Sequence, residues 1–266
     1  MAEGHAVARW GDALRVLIGE PVRAILTPPR WRERAERLVG ARVTAVVTHG
    51  KHLVLEFSND WVIHTHAMQY GSWQIGPPNE ELRKDARFVR LRIETARHRA
   101  VFFHGPVMEV LSREEFATHE RFHSLGPDVL HPGFDVAAVH AAIVGQGERE
   151  IGDVVLDQRV VSGIGNIYRC ESLFLAGLHP ATPRSAVEGR TLADLVRTAS
   201  DLMRANLEPG AGFDRRFAPL GGPRGAWVYG RGGRPCYRCR TPVATAVLGD
   251  PPRDVWWCPS CQPAPA

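Results

Sequence analysis

LDQRVVSGIGNIYRCE, residues 156–171, is the stretch that decides the fold of the second half of this 266-residue chain. Gly163 and Gly165 separate two apolar runs of helical spacing and predict a tight turn between two helices. Asn166 follows at a position where its side chain is expected to cap the second helix, whose positive N-terminal end suits a phosphate. An ordinary helix–helix corner explains the same residues, so both interpretations stay open on this stretch alone.

Helical spacing continues on both sides of this turn and predicts an all-α region. The candidate helices are 136–144, 151–161, 166–176 and 191–207. The region begins after Leu125-Gly126-Pro127-Asp128, and the Pro/Gly/Arg-rich residues 208–234 that follow it are interpreted as a linker.

The first part of the chain changes from helical to strand periodicity. A leading helix is predicted from the spacing of Val7, Trp10, Leu14 and Leu17. Alternating residues then predict strands with one buried face formed by Val43, Ala45 and Val47, by Leu53, Leu55 and Phe57, and by Trp61, Ile63 and Thr65. Residues 58–60 form a turn, and further strands are predicted at 88–93 and 100–103. This pattern favours a β-sandwich of roughly 120 residues.

Four of the five cysteines have the spacing of a zinc site. Cys236-x2-Cys239 and Cys258-x2-Cys261 are eighteen residues apart, and 243–248 with 255–257 can form a hairpin between them. Four thiolates leave no open position for water, so a structural zinc ion is predicted rather than a catalytic one. Disulfides are the alternative, but nothing in the sequence indicates export.

Charge and composition limit the functional classes. Lys and Arg together number 33 against 29 acids, and only two of the 33 are lysines, Lys51 and Lys84. An arginine-favouring, GC-rich genome explains much of this bias. Eight arginines against one acid between Arg215 and Arg253 nevertheless mark a candidate polyanion site. The composition excludes disorder, collagen and coiled coil, and without a signal peptide or an apolar run of about 20 residues we expect a soluble, intracellular chain.

Together these segments resemble the formamidopyrimidine-DNA glycosylase and endonuclease VIII family of base-excision repair enzymes, and look closer to the endonuclease VIII branch. The matching motifs, in order, are Glu3-Gly4-His5, Gly50-Lys51-His52-Leu53, Leu125-Gly126-Pro127-Asp128, LDQR at 156–159, GIGNIY at 163–168, Val228-Tyr229-Gly230-Arg231 and Trp257-Cys258-Pro259-x-Cys261-Gln262. The resemblance implies an α+β multidomain fold. Its parts are an N-terminal helix with a two-layer β-sandwich catalytic domain at 1–125, a helix-two-turn-helix domain at 126–225 and a four-cysteine zinc finger, formed by a hairpin, at 226–266.

The resemblance also implies a nucleophile at residue 2. In family enzymes the initiator methionine is removed, and the new terminal amine attacks C1′ of the damaged nucleotide to form a Schiff base. Members usually have proline there, whereas this chain has Ala2. A primary α-amine with a pKa of about 8 is partly neutral at physiological pH, so the chemistry is possible. An alanine imine must be protonated to act as an electron sink, so the lyase steps are expected to be slower or shifted in pH.

Further site residues follow from the resemblance. Glu3 matches the catalytic carboxylate that handles protons at the sugar O4′, and Lys51 matches the lysine that contacts a DNA phosphate at the lesion. Glu3 could instead only serve helix electrostatics, and Lys51 could be a solvated surface charge.

The remaining predicted residues bind DNA. Asn166 and Arg253 match the family residues that hold phosphates around the flipped nucleotide. The loop residues His66, Met68, Gln69 and Tyr70 match those that fill the gap left by the extruded base. Packing of Met68 and Tyr70 against Trp73 at a sandwich edge is the alternative.

The expected function is therefore removal of damaged bases by base flipping, with abasic-site lyase cleavage at the Ala2 amine. Double-stranded DNA with damaged bases or abasic sites is the expected partner, with no membrane. We expect a monomer in the bacterial cytoplasm, associated with the nucleoid. The alternatives are a damaged-DNA-binding member without lyase activity and a specialised glycosylase for bulky or alkylated bases. An unrelated zinc-ribbon protein would require the other motif matches to be coincidental.

Overall fold

The computed structural model describes residues 2–207, 225–250 and 252–265, and the chain divides into two units, 1–124 and 125–266. The helices are α1 Gly4–Leu14, α2 Arg32–Glu36, α3 Arg113–Ala117, α4 Glu120–His123, α5 Val136–Val144, α6 Ile151–Val154, α7 Asn166–Ala176 and α8 Gly189–Ala205. The strands are β1 Ala24–Leu26, β2 Val43–His49, β3 His52–Phe57, β4 Trp61–His66, β5 Ser72–Gly76, β6 Val89–Glu94, β7 Arg99–Phe103, β8 Val107–Ser112, β9 Ala244–Leu248 and β10 Arg253–Trp257.

The N-terminal unit is a β-sandwich, which confirms the predicted fold class. One sheet has the strand order β2-β3-β4-β8 and the other β1-β6-β7-β5, with antiparallel neighbours throughout. A single apolar core joins both sheets to α1, which buries Val7 and Leu14, and the short 3-10 turn after it buries Leu17. Burial of this apolar stripe, rather than helix propensity, holds the leading helix in place.

The predicted buried face of β2 is wrong after its first residue. The pairing of β2 with β3 shifts between Val43 and Ala45 at a bulge. One extra residue reverses the alternation of side chains, so Val46 is buried and Val47 is 38% exposed.

Three strands escaped prediction, and all three are edge strands of the two sheets: β1, β5 and β8. An edge strand has a neighbour on one side only and buries less of its side chains, so its alternation is weaker. The central strand β4 is buried on both faces, since Val62 and His64 are buried as well as Ile63 and Thr65. The rings of Phe116 and Phe122 lie against His64 and cover the second face.

The C-terminal unit contains the predicted helices, with one correction. Helices α5, α7 and α8 confirm the predictions within two residues at each end. The helix predicted over 151–161 is wrong, because α6 ends at Val154 and turns follow. Side-chain hydrogen bonds of Asp157 and Gln158 to nearby backbone groups compete with the helical ladder there.

The predicted hairpin is confirmed, because β9 pairs antiparallel with β10. It packs on Cys170 and Phe174 of α7 in a small apolar cluster. Most of the predicted linker, residues 208–224, lies outside the described residues. The division of 126–266 into two domains stays a prediction. No helix among the described residues is both long enough and apolar enough to cross a membrane.

Candidate active site and metal centre

The N-terminus of the chain lies against the loop that follows β4. The backbone nitrogen of Ala2 is 3.4 Å from the carbonyl oxygen of Met68. Glu3 is fully buried at the position before α1, where its backbone carbonyl accepts hydrogen bonds from Ala6 and Val7 but its side chain does not cap the helix. The carboxylate is therefore not explained by helix capping.

Lys51 lies in the tight turn between β2 and β3. Gly50 before it has a φ of +57°, a backbone conformation that residues with a Cβ rarely adopt. His49 pairs with His52 across the turn. The half-buried Lys51 is close enough to His66 for its charge to act on that ring. The strand ends therefore bring Lys51 to the same side of the sandwich as the loop after β4.

That loop presents three consecutive side chains to solvent. Met68 is 50% and Tyr70 71% exposed, and Gln69 between them is exposed as well. This exposure favours the loop interpretation of Met68 and Tyr70 over the alternative of packing against Trp73. Gly71 closes the turn by donating to the carbonyl of Ala67 at 2.8 Å, and a Cβ at Gly71 would lie 2.5 Å from that oxygen.

His66 differs from the exposed loop residues, because it is half-buried and supports the loop. Its Nδ1 accepts a hydrogen bond from the backbone N–H of Met68 at 3.1 Å, and Met68 has a φ of +51°. Burial and the Lys51 ammonium lower the pKa of His66 to about 4. The ring is therefore neutral at pH 7, as an Nδ1 acceptor must be.

In the C-terminal unit, Asn166 does not cap α7 as predicted. Gly165 holds the cap position and Asn166 is the first helical residue. The amide Nδ2 of Asn166 donates instead to the carbonyl of Asp254 at 2.9 Å. Its Oδ1 accepts a hydrogen bond from Arg169. The side chain thus connects the start of α7 to β10.

Arg253 is the exposed first residue of β10, next to this connection. Its charge acts on Arg169, a 1% exposed guanidinium that also approaches Asp153 at 3.7 Å. The structure therefore brings Asn166 and Arg253 together with Arg169, which sequence reasoning missed. The arginines at 215, 216 and 224 lie outside the described residues.

The four predicted cysteines converge at the hairpin. Their sulfur atoms lie within 4.8 Å of one another, and Sγ of Cys239 and Sγ of Cys258 are 3.3 Å apart. Cys236 and Cys258 are buried, and none of the four forms a disulfide. Four thiolates in this arrangement suit one tetrahedral metal ion.

Two buried polar residues that were not predicted support this centre. The carboxylate of Glu171 on α7 accepts hydrogen bonds from three successive backbone N–H groups, at residues 227, 228 and 229, over 2.6–3.0 Å. Gln262 accepts from the backbone N–H of Cys258 and donates to the carbonyl of Leu178. Both residues are fully buried: Glu171 attaches residues 227–229 to α7, and Gln262 attaches the second cysteine pair to Leu178, just after the end of α7. The only signal for these two residues in the sequence was their position beside predicted motifs: Glu171 ends the stretch 156–171, and Gln262 follows Cys261.

Comparison with known proteins identifies the family. The model of the formamidopyrimidine-DNA glycosylase N-terminal domain matches residues 1–107, and that of the formamidopyrimidine-DNA glycosylase H2TH domain matches residues 125–217. A probable endonuclease 8 2 of Streptomyces coelicolor is 35% identical over 269 residues, which cover 98% of this chain and 92% of that protein. An endonuclease 8 of Escherichia coli is 31% identical, with coverage of 98% and 100%.

The solved structures that resemble this chain have the same fold. A Lactococcus lactis Fpg in complex with DNA containing an abasic site has a TM-score of 0.81 at 21% identity, and the match covers 99% of this chain and 100% of that one. A complex of the LlFpg protein with a THF-DNA and an inhibitor has a TM-score of 0.82 at 21% identity, and the match covers 99% of this chain and 100% of that one. From the matched domains and the full-length relatives, we conclude that this chain belongs to the formamidopyrimidine-DNA glycosylase and endonuclease VIII family.

Proposed function

We propose that this DNA glycosylase, which has abasic-site lyase activity, uses the α-amine of Ala2 as its nucleophile after Met1 is removed. The contact between the Ala2 nitrogen and the Met68 carbonyl carries this proposal, because it holds the chain terminus beside the loop that faces solvent. The buried Glu3 is the neighbouring acid. A terminal amine next to a carboxyl group is the pair that Schiff-base chemistry requires.

In the proposed reaction the lone pair of the Ala2 nitrogen forms a bond to C1′ of the damaged nucleotide. The glycosidic bond breaks, and the base leaves with its electron pair and takes up the proton that the Ala2 nitrogen loses on forming its new bond. Glu3, in its protonated form, gives its proton to the sugar O4′ as the ring opens, which leaves a protonated imine between Ala2 and C1′. The protonated imine then accepts the electrons released when C2′ loses a proton, and the strand breaks by elimination of the 3′ phosphate.

DNA binding is assigned to both units. Lys51 contacts a phosphate at the lesion from the N-terminal unit, and Asn166 and Arg253 bind phosphates from the C-terminal unit. The exposed Met68, Gln69 and Tyr70 enter the base stack where the damaged base has been extruded. Double-stranded DNA containing a damaged base or an abasic site is the substrate, as in the complexes of Lactococcus lactis Fpg with DNA that contains Fapy-dG or an abasic site.

The cysteine centre takes a structural zinc ion in this proposal. Cys236, Cys239, Cys258 and Cys261 would hold it, and the ion would keep the hairpin folded so that Arg253 is presented at the start of β10. We further propose that the protein acts as a monomer in the bacterial cytoplasm, where the nucleoid lies.

A single-turnover assay tests the proposed nucleophile. Duplexes with one oxidised pyrimidine, one abasic site or no lesion are incubated with protein whose Met1 removal is confirmed by mass spectrometry, and with protein that keeps Met1. We expect base release and strand cleavage at the lesion for the processed protein and no cleavage when Met1 is retained. Equal cleavage by both forms would refute Ala2 as the nucleophile, and binding of damaged DNA without base release by the processed form would favour a binding protein.

A further inference from the structure

A group of imidazoles lies on the sheet β2-β3-β4-β8, on the face opposite the core. Ile63 and Val110 are part of the apolar core, so their neighbours His64 on β4 and Glu109 on β8 point the other way. His64 and Glu109 are directly opposite each other in the β4–β8 ladder. His119, at the position before α4, completes the group from the segment that covers this face.

The three side chains meet at one atom. Nδ1 of His64 is 2.8 Å and Nε2 of His119 is 3.1 Å from the same carboxylate oxygen, Oε2 of Glu109. The three donor atoms all lie within 4.8 Å of one another. Ligand atoms around a tetrahedral zinc ion are about 3.3 Å apart, given bonds of about 2.0–2.1 Å. Only small side-chain movements are needed to place an ion between them.

The surroundings suit a coordinated ion. The side chain of His64 is fully buried, whereas that of His119 is 15% and that of Glu109 28% exposed. The rings of Phe116 and Phe122 are 6.3 and 6.0 Å from the His64 ring. One side of the group is therefore dry, and the side with Glu109 is open to an entering ion.

A fourth residue can fix the orientation of the buried ligand. Nδ1 of His52 is 2.8 Å from Nε2 of His64, and the two rings are nearly parallel with their centroids 5.0 Å apart. A metal-bound imidazole keeps a proton on its second nitrogen and needs an acceptor for it. With His64 bound through Nδ1, His52 is that acceptor.

The donor set selects the class of metal. Two imidazoles and one carboxylate suit zinc and its neighbours among the divalent transition metals, whereas magnesium and calcium prefer all-oxygen sites. The set also differs from the four thiolates of the cysteine centre. Three protein ligands leave a position for water, as two histidines and one glutamate do in some zinc enzymes.

We propose that His64, Glu109 and His119 form a second metal site, which takes an imidazole-preferring divalent ion such as zinc. The ion attaches the α3–α4 segment to the paired strands β4 and β8. Because β4 ends at His66, it also braces the base of the loop that presents Met68 to Tyr70. This site is independent of the nucleophile proposed above.

Metal counting on the untagged full-length protein tests the proposal. The protein is stripped with chelator under reducing conditions, reloaded with zinc, dialysed and analysed by mass spectrometry of the elements. We expect two zinc ions per chain for the wild type, and one for His119→Gln and for Glu109→Gln. His123→Gln is the matched control, since this histidine lies on α4 outside the donor set and is expected to leave the count at two.

Cobalt titration separates the two sites and reports on folding. One equivalent gives intense thiolate-to-cobalt charge-transfer bands, and the second adds only weaker visible bands of a nitrogen and oxygen site. We expect the weaker bands to disappear in His119→Gln while the charge-transfer bands remain, which also shows that the variant is folded. One metal per wild-type chain, or two in both His119→Gln and Glu109→Gln, would overturn the proposal.

Discussion

The two units hold their candidate DNA-contacting residues in different ways. In the N-terminal unit, Ala2 and Met68 meet through backbone atoms at 3.4 Å, and the neighbouring loop side chains are exposed. In the C-terminal unit, buried polar side chains tie α7 to β10 and to the cysteine-bearing segment: Asn166, Arg169, Glu171 and Gln262. In the proposed mechanism, the nucleophile therefore lies on a chain end beside an exposed loop, whereas the proposed phosphate-binding residues of the C-terminal unit are held in place by buried polar contacts.

The largest expected effect is that of a substitution in the cysteine centre of the C-terminal unit. Cys258→Ser removes one of four thiolates, and structural zinc contributes about 10–16 kcal/mol in zinc-finger peptides at pH 7. We expect loss of metal from the cysteine centre, loss of DNA binding and an intact sandwich, measured by metal content, fluorescence anisotropy and circular dichroism. The control Cys170→Ala, outside the cluster, should keep the metal. Full DNA affinity of metal-free Cys258→Ser would contradict the account.

In the N-terminal unit, a substitution of Glu3 should lower the rate of strand cleavage and leave the affinity for DNA unchanged. Glu3→Gln removes a proton-transfer group of about the same shape, and such groups contribute about 10²- to 10⁴-fold to rate. We expect single-turnover strand cleavage to fall by that factor with unchanged affinity for abasic-site DNA. Asp12→Asn is the matched control, because this acid on α1 is exposed and pairs with Arg15. An equal loss in both variants would contradict a specific role of Glu3 in proton transfer.

Asn166→Ala tests whether the buried connection in the C-terminal unit is structural. The change removes the Asn166 acceptor from the buried Arg169 guanidinium and leaves the Asp254 carbonyl only its longer hydrogen bond from Arg169, at 3.4 Å. An unsatisfied buried polar group costs about 1–3 kcal/mol. We expect a loss of that size in the free energy of urea unfolding. Unchanged stability together with weaker DNA binding would instead show that Asn166 serves the ligand alone.

Arg253→Ala tests the exposed part of the same surface. A residue that contacts one phosphate contributes about one unit to the slope of log affinity against log salt concentration. We expect weaker binding to damaged and undamaged DNA alike, and a salt slope reduced by about one. Arg190→Ala, an exposed arginine on α8, is the control and should leave the slope unchanged. A change in lesion preference in Arg253→Ala would contradict the role in phosphate binding.

The smallest expected effect concerns pH. Hydrogen bonds from the Arg159 side chain, offset in part by burial and reinforced by the Arg159 backbone N–H and by the charges of Arg159 and Arg149, lower the pKa of Asp157 below its usual 3.8. Since the folded state holds this carboxylate ionised, its stabilisation is present above pH 3.8 and is lost as pH falls through the lower folded value. Unfolding curves of wild type and Asp157→Asn should therefore converge in acid. A constant difference at all pH values would contradict this.

The sequence was most informative where a motif is local. The turn at 163–165, the two cysteine pairs and helix α7 are each defined within a few residues, because glycine conformation, metal-ligand spacing and helical periodicity are local properties. The bulge in β2 and the edge strands β1, β5 and β8 were missed, since pairing between distant strands decides which face is buried.

The polar connections were beyond single-sequence reasoning for the same reason. Asn166 was expected to cap its own helix, but its partner is Asp254, 88 residues away. The contacts of His64 with Glu109 and of Gln262 with Leu178 span 45 and 84 residues. Nothing in the residues around either partner signals such a contact, because it depends on tertiary packing.

Trapping of the covalent intermediate with borohydride tests the central claim most directly. The processed protein is incubated with a duplex that contains an abasic site, reduced, digested and analysed by mass spectrometry. We predict a stable adduct on the amine of Ala2, which is absent when Met1 is retained. An adduct on Lys51, or base release without any adduct from protein with confirmed Met1 removal, would contradict the account.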